Sequence, residues 1–191
     1  METETIGVEF RKKNGISKKL LPLILTFVII VLDQITKALV VKFLPVGKPL
    51  DLLGSFLRFT HVRNNAVAFS MGSSLPDTAR FILFAVIPLI VIILVYFFYF
   101  KTNDFTYFQR WIVCGILGGG LGNLIDRFFR PNGVVDFVDF KWFGLNTKLS
   151  FFSWNRFPTF NVADMAVVIC AILLVISYIV IFAKEKKNKA K

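Results

Sequence analysis

Apolar residues run through this chain in four long blocks, at about Leu20–Val41, Arg80–Phe100, Gln109–Phe129 and Phe160–Ala183, with polar segments between them. Phe81–Phe100 and Met165–Ala183 contain no charged residue at all. A helix rises about 1.5 Å per residue and a bilayer core is about 30 Å thick, so each block is long enough to span it. The pattern predicts an all-α polytopic membrane protein with four transmembrane helices. Polar residues inside the blocks are few and unevenly placed. Asp33 and Lys37 fall late in the first, Asp126 and Arg127 at the far end of the third, and Asp164 at the opening of the fourth. An up-down-up-down path gathers all of them at one membrane surface. Ionisable groups at that depth are costly, and several in one leaflet mark a functional site.

The intervening segments predict little separate structure. Residues 1–19 form a basic arm, residues 20–183 a single membrane domain, and residues 184–191 a basic tail. Lys101–Phe108 is a tight turn. In the longer segment about Lys42–Ala79, Leu50–Leu53 and Phe56–Arg63 flank Gly54-Ser55 and predict a small hairpin. In the other, about Arg130–Thr159, Val134–Phe140 and Lys148–Trp154 are rich in β-branched and aromatic residues. Trp142, Phe151, Phe152 and Trp154 suit a headgroup interface. Gly115, Gly118, Gly119, Gly120 and Gly122 would disfavour a helix in water, but in lipid they mark a close helix–helix contact.

Composition agrees with a membrane protein: 55% of residues are hydrophobic and the mean hydropathy is +0.67. The formal net charge of +11 does not point to nucleic acid, because of where the charge sits. Arg11, Lys12, Lys13, Lys18 and Lys19 precede the first block, and Lys184, Lys186, Lys187, Lys189 and Lys191 follow the last. Lys101 and Arg110 flank the turn between blocks two and three. All lie on one side, which the positive-inside rule makes cytoplasmic. The basic start followed by an apolar run resembles a secretory signal peptide, but Asp33, Gln34 and Lys37 interrupt it and no small-x-small cleavage site follows. A retained first span is expected. Cys114 and Cys170 lie within spans and read as packing residues, with no disulfide framework or zinc site.

Four polar clusters could carry chemistry. Asp33 and Lys37 are spaced i,i+4 and can pair on one helix face, although Lys37 could equally snorkel to the interface. Asn64-Asn65 ends the hairpin, where a turn is the ordinary reading. Asn123 and Asp126 share a face with Arg127, which could simply neutralise a carboxylate. Asp136 sits alone in an apolar stretch, with Asp139 three residues on as a rival. Asp164 is nineteen residues before Ala183, roughly 28 Å at helical rise, where a helix N-terminus favours negative charge. Two carboxylates in a partly dry site share a proton: the neutral one is an acid and the charged one activates water. That is how aspartic peptidases hydrolyse amides, without metal, serine or cysteine. His61 is the only histidine, which argues against His-dependent triads and two-histidine zinc motifs, and it reads as a strand surface residue. A Ser70–Lys37 dyad would leave the aspartates unexplained. A transporter lined by these charges, or a divalent-metal site built from the acids, are the other readings.

Five blocks in order resemble the lipoprotein signal peptidases (signal peptidase II), intramembrane aspartic peptidases of bacteria: Asp33-Gln-Ile-Thr-Lys37, Arg63-Asn-Asn-Ala-Val-Ala-Phe69, Gly122-Asn-Leu-Ile-Asp-Arg127, Val134-Val-Asp-Phe137 and Phe160-Asn-Val-Ala-Asp164. The resemblance implies that Asp136 and Asp164 are the catalytic pair and that Asp126 supports them. It implies that Asn64, Asn123, Arg127 and Asn161 line or brace the site, with Asp33 and Lys37 as its first-helix pair. It further implies a small extracytoplasmic β-cradle, a short surface helix, and removal of signal peptides from diacylglyceryl-modified prolipoproteins by a cut before the lipidated cysteine. No cofactor or metal is expected. The partners expected are prolipoprotein signal peptides and membrane lipid, with no nucleic acid. A monomer in the bacterial inner membrane is expected, with both termini cytoplasmic and the active site near the outer leaflet. Two departures stand out: the family's usual Asn-x-Gly-Ala-Ala-Phe is here Asn64-Asn65-Ala66-Val67-Ala68-Phe69, and the segment between Asp136 and Asp164 is long around Lys141–Arg156.

Overall fold

In the computed structural model, which describes residues 15–65, 74–130, 132–141 and 156–189, four helices are long and apolar enough to cross a membrane. They are α1 (Gly15–Phe43), α2 (Asp77–Lys101), α3 (Tyr107–Phe129) and α4 (Val162–Lys189). Strands β1 (Leu50–Leu53), β2 (Leu57–Asn64) and β3 (Val134–Phe140) form one antiparallel sheet in that order. The sheet caps the end of the bundle where α1 and α3 finish and α4 begins.

The helices run longer than the apolar blocks. α1 starts at Gly15, inside the stretch expected as a basic arm, and passes through a turn at Leu21-Pro22 before its regular part, Leu23–Phe43. α4 continues through Lys184–Lys189. Its 28 residues reach about 42 Å at helical rise, so its basic last turns extend past the hydrocarbon. The segment Lys148–Trp154, Trp142, Ser70 and the Ala66–Val67 departure lie outside the described residues. The short surface helix implied by the family resemblance is not assigned to any described segment.

α3 is the central helix: 56% of its most apolar window is buried, against 6% for α2 and for α4. Its glycines make this position possible. A side chain at Gly119 would run into the backbone carbonyl oxygen of Ala163 in α4, and one at Gly118 would press on the α1 backbone at Thr26. Gly115 leaves room for Cys170, and both cysteines are free and buried, as packing residues should be. Small residues thus let three helices approach at backbone distance, which is how helices associate where solvent supplies no hydrophobic drive. α2 packs less tightly. Pro88 has no N–H to return along the helix, and just before it the backbone widens into a π turn over Ile82–Val86.

The end of the bundle away from the sheet is tied by polar contacts. Thr106 and Gln109 form a reciprocal cap at the start of α3. Arg110 is buried, donates to the carbonyls of Tyr99 and Thr102, and lies over the Tyr99 ring. The Tyr99 hydroxyl donates to Lys19 O at 2.6 Å. At the other end, Val40 of α1 packs with Val135 and Phe137 of β3, seating the sheet on the helices.

β3 continues the sheet beyond its named strands. Residues 156–160 run antiparallel along its free edge, with bridges Val138↔Phe160 and Lys141↔Arg156. Phe137 and Val138 donate to Phe160 O. On the other side, Val62 pairs with Asp136 and Asn64 with Val134. Gly133, at φ +82°, leads into β3, and a side chain there would collide with Asn64 O at 2.5 Å. β3 therefore sits between the end of β2 and the residues that open α4.

Candidate active site

Asn161 joins the two aspartates. Its Nδ2 donates to Asp136 Oδ1 at 2.8 Å, and its backbone N–H donates to Asp164 Oδ2 at 3.1 Å. Asp164 N–H returns a bond to Asn161 Oδ1 at 2.9 Å. Asn161 is thus the N-cap of α4 and Asp164 its third residue, a reciprocal cap with carboxylate in place of the usual glutamate. One fully buried residue orients both acids, through its side-chain amide for Asp136 and its backbone N–H for Asp164. The sequence expectation that Asp164 opens the fourth span holds, and it lies in the first turn.

Each acid has a second amide donor. Asn64 Nδ2 donates to Asp136 Oδ2 at 2.9 Å, so this asparagine is more than a turn residue. Asn123 Nδ2 donates to Asp164 Oδ1 at 2.7 Å. Asp136 is nearly inaccessible at 3% exposure, whereas Asp164 is partly open. Burial, opposed by the bond from Asn64 and reinforced by the neighbouring charge of Asp164, pushes the Asp136 carboxyl up to about 7.

Beneath the acids lies an ion cluster. Lys37 is fully buried, which rules out snorkelling; its ammonium reaches Asp33 Oδ2 at 2.8 Å and Asp126 Oδ2 at 3.2 Å. Asp33 Oδ1 accepts from Ala163 N–H at 3.0 Å, satisfying one of the amides left open at the start of α4 with a carboxylate from α1. Asp33 fits because Gly122 has no side chain: a Cβ there would lie 2.8 Å from Asp33 Oδ2. Asp126 Oδ2 accepts from Val135 N–H at 3.0 Å and so fixes β3 one residue before Asp136.

Several sequence expectations change. Arg127 was one candidate to neutralise a nearby carboxylate; Asp126 is bridged by Lys37 at 3.2 Å and by Arg130 at 2.9 Å. The Arg127 guanidinium lies over the Phe84 ring, 5.4 Å from its centroid. With Arg130 it lines a cavity of about 490 Å³ shared with Arg80, Phe81 and Ala85 of α2. The i,i+4 spacing of Arg130 from Asp126 is the ordinary local signal for this pair. Gln34, a polar interruption of the first apolar block, donates through Nε2 to Gly122 O and Asp126 Oδ1, both at 3.1 Å. His61 is not on the strand surface: it is 3% exposed and its Nδ1 bonds Leu44 O at 2.9 Å. Strand β2 lies over the end of α1 at that point, and this tertiary contact has no local signal.

Asp139, the rival of Asp136, belongs to a different structure. Three residues along a strand reverses the face, and both oxygens of Asp139 are taken at 2.6 Å, by Arg58 and by Arg156. Arg156 also donates to Ser55 O at 2.8 Å. The clamp fastens residues 156–160 to the sheet. Asp139→Asn is expected to cost about 1–3 kcal/mol of stability, the penalty for leaving charged donors without their acceptor. Peptide cleavage should persist in that variant; thermal melting alongside a processing assay checks both.

Comparisons with known proteins bear on the family and the fold. The family described as signal peptidase (SPase) II matches residues 25–180. The lipoprotein signal peptidase of Treponema pallidum (strain Nichols) is 45% identical over 163 residues, covering 85% of this chain and 84% of its own. That of Treponema denticola is 44% identical, covering 88% and 94%. A solved structure described as a bacterial membrane enzyme, determined by the in meso method at 2.3 Å resolution, is 28% identical with a TM-score of 0.69, covering 88% of this chain and 91% of its own. With a family match that spans all five sequence blocks and relatives of 44–45% identity over most of their length, the chain belongs to the signal peptidase II family.

Proposed function

We propose that Asp136 and Asp164 are the catalytic pair with which this peptidase cuts prolipoproteins before their diacylglyceryl-modified cysteine. The chain is a multi-pass membrane hydrolase that processes lipoprotein signal peptides. The observation that carries the assignment of residues is Asn161, bonded to both carboxylates at once.

The division of labour follows from their surroundings. Asp136, with its carboxyl near 7, holds the proton, and Asp164, partly open to water, is the base. Asp164 takes a proton from a water as its oxygen attacks the scissile carbonyl carbon, while Asp136 gives its proton to the carbonyl oxygen. Collapse of the tetrahedral intermediate breaks the C–N bond, and the nitrogen leaves with a proton from the pair. The products are the signal peptide's new carboxylate and the amine of the lipidated cysteine. Asp33, Lys37, Asn64, Asn123, Asp126 and Asn161 hold the acids in place, and Arg127 lines the approach. The basic termini put both chain ends in the cytoplasm, so the site faces the outer leaflet. A signal helix and its acyl chains can reach it sideways from lipid. A monomer supplies every residue the chemistry uses.

Incubating the purified protein with diacylglyceryl-modified prolipoprotein, with and without chelator, tests this reading. Mature lipoprotein beginning at the modified cysteine should form at the same rate in both. No cleavage, or cleavage that stops in chelator, ends it.

The pH dependence has a defined sign. Asp136 must be protonated, so processing should fall as pH rises through about 7. The same raised carboxyl makes the fold lose stability between its ordinary 3.8 and about 7, since the folded state binds the proton more tightly; above that range the contribution is constant. A rate that climbs steadily from pH 6 to 9 at saturating substrate would contradict Asp136 as the acid.

A further inference from the structure

Lys37 is a cation that no substrate can touch, and neutralising charge does not account for all it does. An ammonium has three N–H groups, and here each has an acceptor: Asp33 Oδ2 at 2.8 Å, Asp126 Oδ2 at 3.2 Å and Asn123 Oδ1 at 2.9 Å. The buried carboxylates of Asp33 and Asp126 already face two cations, Lys37 and Arg130. Charge balance is complete without the third bond.

That bond decides which way an amide points. The two ends of an asparagine side chain are nearly the same shape, and only its partners distinguish them. Asn123 Oδ1 accepts from Lys37 Nζ and also from Asn161 Nδ2 at 3.0 Å. A turned-over amide would set an NH2 group against the ammonium. The amide is therefore fixed with Nδ2 toward Asp164 Oδ1, at 2.7 Å. The other oxygen of Asp164 accepts from the Asn161 backbone N–H. Asp164 is met by donors on both oxygens and cannot give a proton to Asn123.

We propose that Lys37 is a positioning residue that keeps Asp164 the hydrogen-bond acceptor of the pair, and hence the water-activating member, by locking the Asn123 amide. This rests on Asp136 and Asp164 being the catalytic pair. The groups that act on Asp164 are Asn123 and Arg127 of α3, Asp136 of β3, and Asn161 at the head of its own helix. Lys37 of α1 meets it by the shortest hydrogen-bonded route through Asn123, and its charge also faces Asp136.

The test is the pH profile of kcat/KM on the full chain in lipid, with a diacylglyceryl-modified peptide substrate. Lys37→Met and Asn123→Leu should each move the low-pH limb upward by about one pH unit, a tenfold change in proton affinity, with KM little altered. Lys37→Arg, which keeps a donor for Asn123, should leave the limb near its original position. Because Lys37 acts through Asn123, the double variant should shift no further than either single one. Rates that drop evenly at every pH with the limb unmoved, or shifts that add, overturn the proposal. Should Lys37→Met fail to assemble, Lys37→Gln takes its place: it keeps an N–H for Asn123 Oδ1 without the charge, so the limb should stay near its original position, and a limb moved as far as in Asn123→Leu overturns the proposal. If Asp136→Asn and Asp164→Asn stay active, the catalytic pair itself falls; if they are inactive and the limb stays, only the role of Lys37 falls.

Discussion

Asp136→Asn and Asp164→Asn are each expected to lower prolipoprotein processing by at least about a thousandfold while leaving the protein in the membrane at normal abundance. The size follows from the chemistry: acid–base transfer by one positioned group contributes about 10²–10⁴ in rate, and members of a catalytic unit fail together rather than additively. The substitutions are nearly isosteric, so the bonds that Asn161 makes to each position have a polar replacement and the bundle should stand. Asp136→Asn also removes a buried carboxyl that resists ionisation, so its stability should become flatter between pH 4 and 7. Mature-lipoprotein yield from membranes, normalised to enzyme abundance, reads the effect. Either variant at full activity removes that aspartate from the mechanism.

The second large effect is far less obvious from the chemistry. Gly119→Ala adds one methyl group at a point where α3 meets the backbone carbonyl of Ala163, the residue immediately before Asp164. Backbone cannot rotate aside as a side chain can, so α4 must move. Overpacking of this kind costs about 1–3 kcal/mol, and a displacement of about 1 Å at a reacting group can cost a hundredfold in rate. The variant should melt earlier in detergent and lose about a hundredfold in kcat/KM. Gly120→Ala is its control, since the atoms met there are the flexible end of Ile92. Equal activity in the two would mean that the α3–α4 contact does not set the position of Asp164.

How much of this was readable beforehand depends on the length scale of each interaction. The spans were legible because crossing a bilayer needs a run of apolar residues, and a run is a local property of sequence. The hairpin at Gly54-Ser55 and the Asp33–Lys37 pair are local in the same sense, by turn and by helical repeat. The glycine-rich face of α3 was legible once lipid, not water, was taken as the solvent. Illegible were the joints between distant segments. Nothing near Asn161 announces that it meets Asp136, since that contact requires residues 156–160 to lie along β3. The burial of His61 likewise depends on how the sheet settles on the helices. The family resemblance implies the two aspartates; the Asn161 amide that holds them together bonds across 25 residues of chain and leaves no local trace.

The bond from Asp33 to the amide of Ala163 joins positions 130 apart in sequence, and it bears on biogenesis. A nascent polypeptide threading into the bilayer acquires Asp136 well before Asp164 emerges from the ribosome. Until the final segment inserts and closes against the first, the two carboxylates that Asn161 joins cannot meet.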